Sequence, residues 1–355
     1  MTGCPFAAAR EFRRHGKQFA APELLVRLGE LRRSAPAGSD LEAFLDCALD
    51  KPEGRFHNRT YLALAQLERV RDGLGVDADR FATLLVADIV RHEVGGPAGA
   101  ERPDGRTVRT RLRHCLRFVT GRAVDGDADG AAALAELPAP PASPWFATTV
   151  APVSPLHDEY FFIRALQAHE MIFTALADDV EAATAALRER AVAVALTRLD
   201  HAIATMERAG MLFRIVATMQ AATFHSFREH TQGASAIQSE AYKRFELACG
   251  PPTAERLRSD AFTSVPRVVA GPPGDDLTGA ILDGTFTAAE VRALDERIAA
   301  VEAAHQRWKA AHHGIAARVL GDAHGSGYTA GVPYLRACLD NRLFRHLAAE
   351  RAAAA

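Results

Sequence analysis

His157-Asp-Glu-Tyr-Phe-Phe-Ile-Arg-Ala-Leu-Gln-Ala-His169-Glu-Met-Ile-Phe173 is the stretch from which the fold is read. It contains neither Gly nor Pro, and Phe162, Leu166, His169 and Phe173 recur at the three- and four-residue spacing of one helix face. The same period runs through residues 156–177, 180–209, 210–229, 236–248 and 288–320, which predicts a bundle of long helices. Upstream, residues 21–33, 41–49 and 59–74 read as shorter amphipathic helices, and strand signals are sparse throughout. The expected class is all-α, a helix bundle with an additional mostly helical N-terminal region. Between the two, residues 125–155 shift to Gly, Ala, Asp and Pro and end in Pro138-Ala-Pro-Pro-Ala-Ser-Pro144, poor helix material. The expected organisation is therefore residues 1–124 as a helical N-terminal region, 125–155 as a Pro/Gly/Ala-rich connector and 156–355 as the bundle.

The 355 residues carry 42 Lys and Arg against 44 Asp and Glu. No positive excess exists to neutralise phosphates or an anionic leaflet, which argues against nucleic acid and membrane surface as partners. No apolar run is long enough to span a bilayer, and the opening Met1-Thr-Gly-Cys-Pro-Phe lacks the regions of a signal peptide, so the chain reads as cytoplasmic. Cys4, Cys47, Cys115, Cys249 and Cys338 are scattered and form no C-x-x-C pair, which disfavours a disulfide framework, a structural zinc site and a covalently tethered haem.

Four segments carry residue types suited to chemistry. In the opening helix His169 is a titratable group in an apolar wall; it is a packed core histidine or, if the wall lines an oxidation site, a proton-transfer group. Phe224-His225-Ser226-Phe227-Arg228 puts an arginine after an aromatic cluster at a helix end, where its planar fork can meet a carboxylate or simply face water. On the 288–320 helix, Trp308, His312, Ile315 and Val319 share a face flanked by the small Ala311 and Ala316, a shelf on which an imidazole could meet a flat ligand. Periodicity alone leaves a packed or surface histidine as the other reading. Gly325-Ser326-Gly-Tyr-Thr329-Ala-Gly331 is a loop whose backbone can approach a ligand, with Ser326 or Thr329 as hydrogen-bonding groups, or a mobile inter-helix connection. It lacks the lysine of a phosphate loop and the preceding strand of a dinucleotide fingerprint.

Taken in order, these segments resemble the tryptophan 2,3-dioxygenase superfamily over residues 156–347. His157-Asp-Glu with Phe161-Phe162 is similar to the family's H-D-E-x-x-F, and Gln167 and Glu170 keep its later polar positions. Phe227-Arg228, Gln238-Ser239, Tyr242 and Glu246 fit F-R-x(9)-Q-S-x-x-Y-x-x-x-E, Trp308 and His312 fit W-x-x-x-H, and the glycine loop parallels G-T-G-G-S-S-G. The resemblance implies a haem-binding helix bundle of that type, His312 as the iron ligand with His313 as its rival, Trp308 and Gly325 beside the haem, Arg228 on the substrate carboxylate, and Ser326 and Thr329 at the head group. Phe162, Leu166 and Phe224 would line the substrate pocket. It further implies a homo-oligomer, dimer or tetramer, that acts on an aromatic amino acid with dioxygen or hydrogen peroxide. Two positions depart from the family: Leu166 stands where the dioxygenases carry a histidine beside the indole nitrogen, and Phe224 where they carry a tyrosine. A pocket without those polar groups points to hydroxylation of L-tyrosine or a derivative in natural-product biosynthesis, a reaction found elsewhere in the superfamily, with indole dioxygenation and non-catalytic haem binding as the alternatives. Ala316 and Ala317 occupy the places where the c-type variant carries its cysteine, so non-covalent haem b is expected.

Overall fold

The structure is a computed structural model that describes residues 4–96, 100–122, 130–265, 267–272, 274–321, 325 and 330–354. Among these the regular structure is helical, and the one β-type contact is an isolated bridge between Ala100 and Leu156. The all-α expectation holds. No described helix is long and apolar enough to cross a membrane. The chain divides into two compact units: Met1–His169 with Arg214–Ala236 and Gly325–Tyr328, and Glu170–Phe213 with Ile237–His324 and Thr329–Ala355.

In the first unit, Pro5–His15, Pro22–Ser34 and Asp40–Ala48 bury Phe12, Leu24, Leu28, Phe44 and Leu45 in one apolar cluster with Ala151. The chain leaves the first helix through Gly16 at φ 84, where an added Cβ would stand 2.5 Å from the Val153 carbonyl oxygen. Only glycine fits there, because the left-handed turn and the close approach coincide. Lys17 and Gln18 then donate backbone hydrogen bonds to Pro152 and Val153, at 2.7 and 3.1 Å. Helices Ala78–Gly95 and Gly105–Thr120 pack on one another, and neither was assigned from the sequence as a separate element. The segment expected as one helix over 59–74 is two, Asn58–Tyr61 and Leu64–Leu74, divided at Ala63, whose φ is 48.

Farther along, the expected break near residues 178–179 is absent, and one helix runs His157–Arg188. Two adjacent aspartates are weak helix formers, but Asp179 is buried and accepts from His201 Nδ1 at 2.5 Å, which keeps its side chain from competing for the backbone. The chain stops instead at Arg190, φ 64, where Ala191 N–H donates back to the Ala186 carbonyl at 2.8 Å. Val192–Val216 follows and takes in the start of the expected 210–229 helix, whose remainder after a break is Ala221–Arg228.

The second unit is built on Glu240–Cys249, Leu277–Asp283, Ala288–Leu320, Val332–Cys338 and Arg345–Ala354 around Leu199, Leu212, Phe245, Leu277, Leu294, Val301 and Phe344. Its longest helix begins in a capping box: Thr287 Oγ1 accepts from Glu290 N–H at 3.3 Å while Glu290 accepts from Thr287 N–H at 2.8 Å. Thr287→Ala is expected to cost about 1 kcal/mol, read as a lower urea midpoint with unchanged slope; an unchanged midpoint would mean the box is dispensable.

Candidate functional site

The first unit brings five of the sequence candidates onto two helices. Phe162, Phe224 and Phe227 form a closed aromatic triangle with centroid separations of 5.6, 5.4 and 5.3 Å. Phe227 is fully buried, whereas Phe162, Phe224 and Leu166 keep part of their surface open. An apolar wall with accessible ring faces is what an aromatic ligand needs. Arg228 follows Phe227 and is half-buried. Burial alone lowers its pKa; no carboxylate among the described residues lies near enough to raise it. A guanidinium taken partly out of water without a counter-ion is unfavourable by itself and favours an incoming anion. His169 is buried and its Nδ1 donates to the Ala165 carbonyl at 3.0 Å. A carbonyl only accepts, so the proton sits on Nδ1 and Nε2 carries the lone pair.

The acidic His157-Asp-Glu opening is buried and serves as an anchor. Asp158 accepts from Arg111 Nη2 at 2.8 Å, and Arg111 Nη1 donates to Glu93 at 2.5 Å. Glu93 in turn lies 3.1 Å from His157 Nε2. Burial pushes Glu93 upward, but the bond from His157 and the charge of Arg111 outweigh it and hold the carboxyl at about 2. Glu159 accepts from Val153 N–H, Ser154 N–H and the Tyr61 hydroxyl at 2.7, 2.8 and 3.2 Å. Burial still dominates there and raises it to about 7. Gln167 is likewise structural, donating to Leu62 and Thr149 carbonyls at 2.9 and 2.8 Å. Arg111 and Glu93 were missed from the sequence. The signal was there for Arg111: it shares a helix face with Cys115 and Phe118, so a cation stands on an apolar stripe.

In the second unit Trp308 and His312 do share a face. The Phe213 ring stacks on His312 at 5.0 Å and 22°, and Trp308 packs among Phe173, Phe213 and Tyr242 at 5.0, 5.4 and 5.6 Å. Burial, and then the like charge of His313, lowers His312 to about 4. It is partly exposed and, among the described residues, neither ring nitrogen is held in a hydrogen bond. A neutral imidazole with an uncommitted lone pair is the donor a haem iron takes, so the residues present fit that group. His313, the rival, has no such ring contact among the described residues. A third histidine, His305, is fully buried and bonded to the Tyr242 hydroxyl at 2.9 Å, which makes it part of the core. Gly325 is partly exposed; Ser326 and Thr329 lie outside the described residues. A cavity of about 470 Å³ in this unit contains none of these groups, and its Arg188 and Arg244 are already paired with Asp275 and Glu181, both at 2.5 Å.

Residues 147–265 match the family model of tryptophan 2,3-dioxygenase, a span that includes Phe162, Leu166, His169, Phe224 and Arg228 but neither Trp308 nor His312. The chain is 25% identical over 236 residues to the tryptophan 2,3-dioxygenase of Burkholderia pseudomallei (strain 668), an alignment covering 55% of this chain and 77% of that protein. Over the same length and coverage it is 25% identical to the tryptophan 2,3-dioxygenase of Burkholderia mallei (strain SAVP1) and 26% to that of Burkholderia pseudomallei (strain 1106a). With helices as its regular structure among the described residues, a histidine after a tryptophan and an arginine after an aromatic cluster, the chain is similar to the tryptophan 2,3-dioxygenases.

Proposed function

We propose that the protein is a haem-dependent oxygenase that uses dioxygen to oxidise the ring of an aromatic L-amino acid, with indole oxidation of the tryptophan 2,3-dioxygenase type as the leading reaction. The observation that carries this is Arg228: half-buried, with no carboxylate near it among the described residues, and on the same short helix as Phe224 and Phe227. An amino acid has the two features this helix lacks a partner for, a carboxylate for the fork and a ring for the wall. Arg228 would bind and orient the carboxylate, while Phe162, Leu166 and Phe224 exclude water from the ring. His169, with its lone pair on Nε2, is suited to accept a proton near the substrate. His312 would ligate a non-covalent haem b, beside Trp308, and haem bound there would supply the iron at which dioxygen is activated. Ser326 and Thr329 are proposed for the amino-acid head group.

The relatives named above are tryptophan dioxygenases, which favours indole oxidation over the tyrosine hydroxylation expected from Leu166, and dioxygen over hydrogen peroxide as the oxidant. Tyrosine hydroxylation keeps second place, because Leu166 and Phe224 offer the ring no polar partner. The test is a ligand titration of the haem spectrum followed by a product assay in air. Saturable binding of L-tryptophan with formation of N-formylkynurenine supports the reading; hydroxylated product from L-tyrosine and none from L-tryptophan would replace it with the second. Haem that binds with no turnover of either amino acid would leave a binding protein. The histidine assignment is tested apart from activity by haem-to-protein stoichiometry after purification. His312→Ala is expected to lose most of its haem and His313→Ala to keep it, and the reverse pattern would transfer the ligand role to His313.

A further inference from the structure

The helix that carries Arg228 is held at both ends by residues that precede residue 147 and so lie outside the span matching the family model. At its start Gln220 N–H donates to Asp158 at 3.0 Å, and Asp158 is itself fixed by Arg111. Arg111 also bonds the Thr218 hydroxyl and carbonyl, at 3.0 and 3.2 Å, while Gln220 Nε2 donates to the Glu101 carbonyl at 3.1 Å. At its end the chain turns directly after Arg228, with Thr231 N–H donating to the Arg228 carbonyl at 3.0 Å. Lys51 Nζ donates to the carbonyl of His230 in that turn at 2.5 Å. The same ammonium stands 4.2 Å from the centre of the Phe56 ring, and Phe19 meets the His230 ring edge-on at 5.2 Å. Gly233, at φ 100, brings the turn so close that an added Cβ would lie 3.0 Å from the Phe56 carbonyl oxygen. Lys51 is oriented in turn: its N–H donates to Asp50 at 2.7 Å, and the buried Asp50 is paired with Lys17 at 2.8 Å.

We infer that the N-terminal region braces the substrate site in cis and that Lys51 is a positioning residue for Arg228. Fork-to-carboxylate recognition tolerates little misplacement, and a helix of eight residues cannot fix its own last side chain without an anchor beyond it. The Lys17, Asp50, Lys51 relay is that anchor, reaching from the N-terminal helices to two residues past the guanidinium.

This inference rests on the amino-acid reading proposed above, and the experiment separates the two. Affinities of the haem-loaded full chain are measured by calorimetry for L-tryptophan and L-tyrosine and for their decarboxylated amines, in wild type, Lys51→Met, Lys51→Arg, Arg228→Ala and the Lys51→Met/Arg228→Ala double variant. If wild type prefers neither amino acid over its amine, or Arg228→Ala changes nothing, the carboxylate clamp fails and the brace falls with it. With the clamp in place, Lys51→Met is expected to weaken the amino acid about tenfold and the amine less than about twofold, the scale of one impaired charge-assisted bond. Lys51→Arg should recover most of the loss, and Lys51→Met should add nothing once Arg228 is gone. Equal losses for acid and amine, additive losses in the double variant, or no loss overturn the positioning role. Should Lys51→Met not fold, Phe19→Ala tests the same turn at a ring that is 56% exposed, with the same acid-selective loss expected.

Discussion

Arg228→Ala is expected to raise the dissociation constant for the preferred aromatic L-amino acid by about 100-fold and to leave the corresponding amine unaffected. Two charge-assisted bonds from a planar fork, at 1.5 to 3 kcal/mol each before the offset from desolvating both partners, place the net loss at roughly 3 kcal/mol. Arg228→Lys keeps the charge and loses the second bond and the planar match, so an intermediate loss of about tenfold is expected. Neither variant should destabilise the free protein, because the wild-type guanidinium is half-buried with only desolvation acting on it. That last point separates a ligand-binding arginine from a structural one. A measured affinity unchanged in Arg228→Ala, or a large drop in unfolding midpoint without ligand, would show that the side chain serves the fold.

What could be read from the sequence was set by how local the cause was. The helix face Phe162, Leu166, His169 and the shelf Trp308, His312 follow from a period of 3.6 residues, which any stretch of chain imposes on itself. The helix ends were misplaced where a distant partner decides them: the break expected at Asp178-Asp179 disappears because His201 occupies Asp179. The His157-Asp-Glu motif was legible as a resemblance, yet its physical role depends on Arg111, 47 residues away, and on Glu93. Such pairings have no signature along the chain beyond a charge on an apolar stripe. Lys51 is the extreme case, its partner being a backbone carbonyl 179 residues later, which carries no residue identity at all.

Arg111 is the position at which a single substitution should cost most. Its guanidinium is fully buried, carries the ion pairs to Glu93 and Asp158, and lies 3.6 Å over the Phe161 ring. Arg111→Met preserves most of the volume but leaves two carboxylates in the interior with one cation fewer, a change expected to cost about 3–5 kcal/mol. The pH dependence distinguishes this cause from simple misfit. Glu93 is held at about 2 in the native protein, below its ordinary 4.5, so its contribution is present above pH 4.5 and is lost as pH falls toward 2. Without Arg111 burial is opposed at Glu93 by His157 alone, so the carboxyl moves upward from its native position, and taking up a proton relieves the buried charge. The deficit of the variant relative to wild type should therefore be largest near pH 8 and shrink toward pH 5. His92, lowered to about 4 by burial and then by His157, also erodes stability as pH falls from 6.5 to 4, since the unfolded chain binds its proton first. That loss is common to both proteins and cancels in the difference as long as the His92 and His157 rings stay stacked at 4.7 Å. Urea unfolding of both proteins at pH 8 and pH 5 measures it, and a deficit that is independent of pH would assign the cost of Arg111→Met to packing against Phe161 instead of to charge.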